Sequence, residues 1–412
     1  MHINPERLKA RIDAINAMSR NESGGYTRLA FTEKDRQARE AVMGMMSEAG
    51  LSVRQDRAGN ILADWLNGRR AAGFVATGSH IDTVQNAGPF DGLLGSMAAL
   101  EVLQTVAERN LALKRPLRAI VFADEEGARF GSGMIGSKAI VGSSLDAPLE
   151  TYTDKEGHVL PDVLRAFGID PERISEAKAD PGTYRAFLEL HIEQSVVLEQ
   201  HQKQIGIVTG IKGPYWVRGS FIGESNHAGG TPMNLRRDAL VAAANFASET
   251  ERIASGIGEQ FVATIGVFEV SPGGINTIPG RVGYSLDIRD LDMARRDAGV
   301  DRILQAAEGS AKRFGVAHRS RCIKRTPSAE MSPGIMEVIE GVCKKESLAY
   351  MHLPSGAFHD TLSMTSICDV GMIFVPSIAG ISHSPKEDTR WEDVYAGAEV
   401  LYQTVVELAL RD

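Results

Sequence analysis

The chain has 412 residues, which exceeds what one hydrophobic core usually supports, so two domains are expected. A hydrophobic content of 43% with 24% charged residues is ordinary for a globular protein and excludes disordered and fibrous classes. The net charge of −8 argues against a nucleic-acid partner, because no basic surplus is present to neutralise phosphates; it also means that an anionic substrate would need cations inside its site.

The first part of the chain alternates helix and strand patterns. A helix is predicted over 33–48, with Thr32 as its N-cap. Residues 73–78 and 117–122 are short apolar runs typical of buried strands, and the stretch 93–111 between them has a long helical pattern. Strand, helix and strand at this spacing predict a βαβ unit and a mostly parallel sheet.

The middle of the chain has a different pattern. Strands are predicted at about 215–224, 261–270 and 282–290, the last with the alternation of a strand that has one exposed face. Helices are predicted between and after them, at about 235–254 and 293–314. Two helices on an antiparallel sheet fit a compact α+β module.

The α/β pattern then returns, with a strand at 371–375 and a terminal helix from Glu392. The expected plan is therefore an α/β catalytic domain over 1–210 and 329–412, with a mostly parallel central sheet flanked by helices. An inserted α+β domain over 211–328, with an antiparallel sheet and two helices, interrupts it.

Two polar segments follow predicted buried strands. His80 and Asp82 end the first strand, where residues i and i+2 share a face, so the Asp82 carboxylate could accept the second ring N–H of a metal-bound His80. Glu125 and Glu126 belong to a run of three acids after the strand at 117–122, and buried carboxylates are costly unless a cation neutralises them. The alternative to a metal site is that His80 simply packs in a loop and that the three acids form a solvated turn.

Three more residues can join these as ligands. Asp91 stands in a glycine-rich turn before a helix, where capping is the usual role. His191 lies on the polar face of an alternating segment, and His383 lies in a short SHSP segment; each alone is more often structural. Together with His80 and Glu126 they offer imidazole and carboxylate ligands without thiolate, a set that suits zinc, manganese or cobalt.

Eight segments in order along the chain resemble the M20-type amidase/hydantoinase/carbamoylase family. That family includes N-carbamoyl-L-amino-acid hydrolases, allantoate and ureidoglycolate amidohydrolases and β-ureidopropionases. The segments are GSHIDTV (78–84), GPFDGLLG (88–95), DEEGARFG (124–131), LHIEQ (190–194), NHAGGTPMNLRRDAL (226–240), GGINTIPG (273–280), LDIRD (286–290) and SHSP (382–385).

The resemblance implies a phosphorylase/hydrolase-like catalytic domain, an inserted lid and dimerisation domain, and a homodimer. It also implies two divalent ions per subunit, zinc or manganese, with cobalt or nickel as alternatives. The implied ligands are His80, Asp91 and His191 for one ion and Asp91, Glu126 and His383 for the other, with Asp91 bridging. Glu125 would be the general base, and Asp82 would assist beside His80.

The substrate contacts are implied in the same way. The resemblance assigns His227 to the oxyanion, and it implies that this residue reaches the partner subunit's active site. The implied substrate-binding residues are Gln194, Asn276, Arg289 and His359. Arg289 suits a substrate carboxylate because its guanidinium can bind in a bidentate manner, although a surface salt bridge with Asp287 or Asp290 is the alternative.

The substrate favoured by this reading is an N-carbamoyl (ureido) derivative of a small carboxylic acid, above all an N-carbamoyl-L-amino acid. Two positions depart from the family pattern, which commonly has glycine at Ser195 and at Phe358. The ring of Phe358 removes pocket volume and favours a small or flat substrate, so allantoate or ureidoglycolate hydrolysis is the alternative. A dipeptidase or deacylase is less favoured. A non-catalytic binding protein would have lost Glu125 or a ligand, and none is missing.

A cytoplasmic enzyme is expected, with no membrane or nucleic-acid partner. The three cysteines, Cys322, Cys343 and Cys368, are far apart and odd in number, so they do not read as a disulfide framework. The N-terminal segment is charged and has no apolar signal region, and no apolar run approaches the ~20 residues of a membrane helix.

Overall fold

A computed structural model describes residues 1–70, 72–145 and 147–411. The chain folds as two compact units. One comprises Met1–Thr209 with Met331–Asp412, and the other comprises Gly210–Glu330. We call them the catalytic unit and the inserted unit.

The catalytic unit begins with six helices and six strands. They are α1 (Pro5–Ala17), α2 (Glu33–Glu48), β1 (Ser52–Gln55), β2 (Ile61–Trp65), β3 (Phe74–His80), α3 (Leu93–Glu108), β4 (Leu117–Phe122), α4 (Ile135–Val141), α5 (Leu160–Phe167), β5 (Tyr184–Ile192), α6 (Val197–Gln200) and β6 (Ile205–Ile211).

The inserted unit and the return of the chain supply the remaining elements. The inserted unit contains β7 (Gly213–Ile222), α7 (Ala239–Ser255), β8 (Val262–Ser271), β9 (Arg281–Asp290), α8 (Met293–Arg313), β10 (Ala317–Arg325) and β11 (Ala329–Glu330). The catalytic unit is completed by α9 (Pro333–Lys345), β12 (Tyr350–Ser355), α10 (Asp360–Met364), β13 (Asp369–Val375) and α11 (Trp391–Leu410).

The central sheet of the catalytic unit has the strand order β1-β2-β4-β3-β5-β13-β6, with β12 also paired to β6. Its four middle strands, β4, β3, β5 and β13, are parallel, and the strands outside them are antiparallel. Strands β3 and β4 are buried throughout, as their continuous apolar runs predict for a parallel sheet covered on both faces. The predicted α/β class with a mostly parallel sheet is confirmed.

Helices α3 and α11 form the packed layer against this sheet. Helix α3 is buried along nearly its whole length and packs on β3, β4 and β5, while α11 packs on β5 and β13. Both helices therefore have little polar surface, as helices enclosed on several sides do. Among the described residues we find no helix whose length and apolar character would allow it to span a lipid bilayer.

Element boundaries differ from the predictions where capping residues decide them. Helix α2 has the predicted bounds, and the Thr32 side chain accepts from the Asp35 amide at its start. The helix predicted over 235–254 begins only at Ala239, because the Asp238 carboxylate caps it by accepting from two amides. The helix predicted to reach residue 111 ends at Glu108.

The inserted unit is a four-stranded antiparallel sheet in the order β10-β7-β9-β8, with β8 at one edge. Strand β9 alternates between buried and half-exposed residues, so one face of the sheet is apolar. Helices α7 and α8 cover that face and enclose a core that includes Phe221, Phe246 and Tyr284. The opposite face carries the polar side chains of β7, β9 and β10.

The close approach of β3 and β4 gives a stability prediction. A Cβ at Gly78 would lie 1.9 Å from the Ile120 carbonyl oxygen, so Gly78→Ala must separate the strands and should destabilise the protein by roughly 1–3 kcal/mol. Gly44 in α2 has open space at the same position, so Gly44→Ala should stabilise by roughly 0.5–1 kcal/mol. Urea denaturation of the two variants measures both; a Gly78 variant as stable as wild type would contradict this packing.

Candidate metal centre and active site

His80 ends β3 with its ring buried and oriented from both sides. Its Nδ1 lies 3.0 Å from the main-chain oxygen of Asp82, so this nitrogen carries the proton. Its Nε2 is left without a proton and faces the carboxylates of Asp91 and Glu125, each at 3.6 Å. A neutral ring with an unprotonated Nε2 is the form that binds a metal.

The carboxylate of Asp82 has a different partner from the one predicted. It lies 3.6 Å from His80 Nδ1, beyond hydrogen-bonding distance, so the prediction of a carboxylate partner for His80 is corrected. Its two oxygens accept instead from the amides of Glu125 and Glu126, at 3.2 and 3.1 Å. Asp82 therefore fixes the loop after β4 relative to the end of β3, and acts on the site by positioning these two glutamates.

Asp91 lies in the turn before α3 and is held from behind. The Glu387 carboxylate accepts from the amides of Phe90 and Asp91, at 2.9 and 3.1 Å. Gly92 follows with a φ of 63°, and a Cβ there would overlap the His80 ring at 2.3 Å. Only glycine allows both this left-handed backbone and this close approach.

His191 lies near the end of β5 and is oriented like His80. Its Nδ1 lies 2.9 Å from the main-chain oxygen of Ile192, and its Nε2 lies 3.2 Å from the Gly92 amide nitrogen. The polar face predicted for this segment is not at a solvated surface, because Glu189 and His191 are both almost fully buried. Glu189 instead accepts from Ser79 and Thr361, beneath the site.

The Asp91 carboxylate joins two groups of side chains. Its Oδ1 lies 3.6 Å from His80 Nε2 and 3.2 Å from His191 Nε2. Its Oδ2 lies 3.2 Å from the Nε2 of His383, which in turn lies 3.6 Å from Glu126. The donor atoms of each group lie within 4.8 Å of one another, a spacing at which one ion can contact them all.

The residues present fit divalent ions. Three imidazoles and two carboxylates are a nitrogen and oxygen donor set suited to zinc or manganese, and a bound ion would displace the Nε2 protons of His191 and His383. Oε1 of Glu126 is buried and has no hydrogen-bond partner among the residues that the structure describes, which leaves it free to act as a ligand. Burial and the neighbouring carboxylates raise the pKa of Glu125 and of Glu126 well above its usual range, a repulsion that a cation would offset.

The pKa of Asp91 is shifted in the opposite direction from the pKa values of Glu125 and Glu126. Burial alone would raise the pKa of this carboxyl, but hydrogen bonds with His191 and His383 hold it well below the usual range. Burial acts to lower the pKa of His191, and the bond to Asp91 outweighs it and raises that pKa to about 9. Asp91 thus stays ionised, which is the state in which a carboxylate can be shared between two cations.

Gln194 follows β5 and approaches Asp91 directly. Its Nε2 lies 2.8 Å from Asp91 Oδ2 and 3.3 Å from His383 Nε2. Gln194 and His383 have φ values of 55° and 53°, a left-handed conformation that non-glycine residues seldom adopt and that clusters at functional sites. The predicted substrate contact of Gln194 is therefore placed beside the shared carboxylate.

His359 is buried and packs edge-on against His191, with 4.5 Å between the ring centroids. Its Nε2 lies 2.9 Å from the Ser355 hydroxyl. Burial, reinforced by the charge of His191, lowers the pKa of His359 well below its usual range, so the ring is neutral. Phe358, next to it, is partly exposed.

The other predicted residues lie in the inserted unit, at two ends of its sheet. His227 and Asn276 are exposed on adjoining loops, where the Ala228 amide donates to the Asn276 carbonyl at 2.8 Å. Arg289 lies near the far end of β9 and forms a salt bridge with Asp287 at 2.8 Å. The salt bridge considered as the alternative role of Arg289 is therefore present. Arg289 and Asp287 both lie on the polar face of the inserted sheet.

Sequence reasoning missed Glu387 and Ser382 as parts of the site. The Ser382 hydroxyl lies 3.0 Å from both Asp91 Oδ2 and Glu387 Oε2. Glu387 lies 296 positions from Asp91, so only its place four residues after His383 could have pointed to it. A separate group of Asp154, Glu156 and His158 also has ligand spacing, but Asp154 is engaged there by Arg129.

Comparison with known proteins gives the following matches. The family model Peptidase family M20/M25/M40 matches residues 76–407. An N-carbamoyl-L-amino acid amidohydrolase of Geobacillus stearothermophilus is 43% identical over 99% of both chains. A ureidoglycolate hydrolase of Oryza sativa subsp. japonica is 34% identical over 100% of this chain and 86% of its own.

A solved structure, an amidase of the hydantoinase/carbamoylase family from Burkholderia multivorans, has a TM-score of 0.92 at 29% identity. The match covers 99% of this chain and 98% of that one. The family resemblance predicted from the ordered motifs is confirmed. The chain belongs to peptidase family M20/M25/M40, a family of metal-dependent hydrolases.

Proposed function

We propose that the chain hydrolyses the ureido C–N bond of an N-carbamoyl-L-amino acid. His80, Asp91 and His191 would hold one divalent ion, and Asp91, Glu126 and His383 would hold a second. The observation that carries this proposal is the split of the Asp91 carboxylate, with Oδ1 facing His80 and His191 and Oδ2 facing His383. The N-carbamoyl-L-amino acid amidohydrolase at 43% identity supports the substrate class. The ions are zinc or manganese, and cobalt or nickel would be accepted by the same ligands.

When bound, the ions would activate water and polarise the substrate carbonyl. The chain supplies the proton transfers. Glu125 has its carboxylate 3.6 Å from His80 Nε2, and Asp82 holds its amide, so it is fixed at the edge of the ligand group without being needed as a ligand. Glu125 takes the proton of the attacking water and returns it to the departing nitrogen, and ammonia, carbon dioxide and the free amine follow.

His227 is suited to stabilise the oxyanion. Its Nδ1 accepts from the amides of Gly229 and Gly230 at 3.1 and 3.0 Å, so the proton of the neutral ring is on Nε2. An exposed Nε2–H is then available as a donor to a substrate oxygen. Asn276 on the adjoining loop and Arg289 on β9 bind the substrate carboxylate, while Gln194 and His359 complete the contacts.

The two ends of the inserted sheet serve different active sites. The loops that carry His227 and Asn276 lie at the end of the sheet where Ile222 of β7 pairs with Arg281 of β9. Arg289 lies eight residues further along β9, near the other end. Eight residues at ~3.3 Å each place the ends roughly 26 Å apart, which one small substrate cannot span. A homodimer resolves this, because a second copy can present both its His227 and its Asn276 to the site that Arg289 serves.

Strand β8 is a suitable surface for that dimer. It is a ten-residue edge strand whose only partner among the described strands is β9. Val262, Phe268 and Val270 on it are 43%, 38% and 37% exposed, and unprotected apolar edges of this kind pair with other strands. We infer that the dimer forms in the cytoplasm, where the unpaired cysteines Cys322, Cys343 and Cys368 would stay reduced.

A ureidoglycolate or allantoate substrate is the second candidate. Phe358 favours it, because a ring beside the buried His359 reduces the space for a bulky side chain, and the ureidoglycolate hydrolase at 34% identity is consistent with it. A dipeptidase or deacylase activity is less favoured.

Ammonia release by the metal-loaded protein tests the proposed substrate class. N-carbamoyl-L-amino acids should give the highest kcat/KM in a panel that also contains allantoate, ureidoglycolate, β-ureidopropionate and a dipeptide. A higher value for ureidoglycolate or allantoate would establish the second candidate instead. Cleavage of the dipeptide without release of ammonia from any ureide would overturn both.

Glu125→Gln should lower kcat by roughly 10²–10⁴-fold, since the amide cannot carry the proton. The metal content, measured by mass spectrometry, should stay at the wild-type value, because Glu125 is not proposed as a ligand. Glu150→Gln, a matched change at an exposed position, should leave kcat unchanged. Full activity of the Glu125 variant would remove this residue from the mechanism.

Mixing two inactive variants tests the shared site. Arg289→Ala and His227→Ala should each be nearly inactive, but refolding them together should restore about a quarter of the wild-type activity, because one site of each mixed dimer then has both residues intact. A mixture no more active than its parents would mean that both residues act within one copy. Each variant refolded alone is the control.

A further inference from the structure

The polar face of the inserted sheet has a concave region that the proposed reaction does not use. It has a volume of about 420 Å³, within the usual range for small-ligand sites. Its floor is formed by Ser220 of β7 and Gly283 of β9, which face each other in register. These small residues leave a depression between longer side chains.

Four arginines surround that floor on three sides. Arg319 of β10 pairs with Ser220, and Arg321 pairs with Arg218 one row further along. Arg281 lies two residues before Gly283 on the opposite side of the floor. We call this group, with its floor, the arginine pocket.

The arginines of the pocket are not neutralised by the protein. None of the four has a hydrogen bond or ion pair with any residue that the structure describes. Elsewhere in the same unit Arg289 and Arg295 pair with Asp287 and Asp290, at 2.8 and 2.6 Å. The residues 210–330 include 16 Lys and Arg and 13 Asp and Glu, a net +3 in a chain of net −8.

The strand register places two positive charges opposite each other, and a bound anion would offset their repulsion. Arg218 and Arg321 are direct cross-strand partners, and like charges in that position destabilise a sheet. Glu269 of β8, opposite Gly283, is the one acidic side chain lining the pocket among the described residues. Glu269 lies on the fourth side, where it would repel the negative groups of a ligand toward the arginines.

We propose that the arginine pocket binds a small multivalent oxyanion, a molecule with two or more phosphate or carboxylate groups. Guanidinium groups bind both kinds of group with paired N–H donors. Arg281 and Arg218 lie about four residues apart along the sheet, roughly 13 Å between their backbones at ~3.3 Å per residue. A ligand with separated charges can engage both guanidinium groups without drawing the two side chains to one point.

Calorimetric titration of the metal-loaded enzyme tests this site, with pyrophosphate, propane-1,2,3-tricarboxylate and acetate as probes at equal ionic strength. R218A/R321A should weaken binding of the multivalent probe by about tenfold or more. G283Q, which covers the floor without changing charge, should also weaken it. R302A/R313A removes the same charge from exposed positions of α8 and should change the affinity less than about twofold.

The outcomes separate the possible sources of binding. Tighter binding of pyrophosphate or of the tricarboxylate identifies the ligand as a phosphate or a carboxylate compound, and either supports the site. Equal losses in the pocket and α8 variants would mean a diffuse charge effect and would overturn it. So would acetate binding as well as the multivalent probes, no binding by either probe at about 10 mM, or a DNA duplex binding more tightly than both.

Discussion

The carboxylate of Asp91 is shared by two groups of side chains, and the arrangement of the site depends on that sharing. Each oxygen faces a different histidine set, at 3.2–3.6 Å. The carboxylate remains ionised although it is buried, because its histidine partners outweigh the cost of burial. Much of the surrounding polar structure, from Glu387 behind the turn to Ser382 and Gln194 beside it, holds this one group in place.

The parallel sheet explains how distant residues reach Asp91. Strands β3, β4 and β5 are neighbours and end at the same edge of the sheet, so His80, the loop of Glu125 and Glu126, and His191 arrive there together. Asp82 ties the ends of β3 and β4 to each other through the two glutamate amides. The buried Glu189 ties the β5 side to Ser79 and Thr361. His80 and His191 are therefore held at the ends of buried strands, and the Asp82 carboxylate fastens the loop of Glu126 to them.

Much of this could be predicted from the sequence, because its signals are local. Continuous apolar runs predicted β3 and β4, and the ordered motifs pointed to five candidate ligands, which the structure brings together. The predicted contact between the Asp82 carboxylate and His80 was wrong. Strand alternation shows that the two residues share a face, but it does not show whether His80 donates to the carboxylate or to the main-chain oxygen of Asp82. The alternation in β5 indicated a polar face but not that the face is buried, since burial depends on what packs against it.

Other features depend on contacts between distant parts of the chain. Glu387 supports Asp91 across 296 positions, and no pattern of spacing relates them. The arginine pocket exists only because β7, β9 and β10 pair in one register, which places Arg218 opposite Arg321. The distance between His227 and Arg289 along one sheet likewise follows from strand pairing, and it is what makes a second copy necessary in our account.

The most direct test of the central claim is anomalous X-ray diffraction from crystals of the manganese- or zinc-loaded protein. Our account predicts two peaks roughly 3.5–4 Å apart, one on each side of the Asp91 carboxylate. The first should contact His80 and His191, and the second Glu126 and His383. A single peak, or ions only at Asp154, Glu156 and His158, would contradict it.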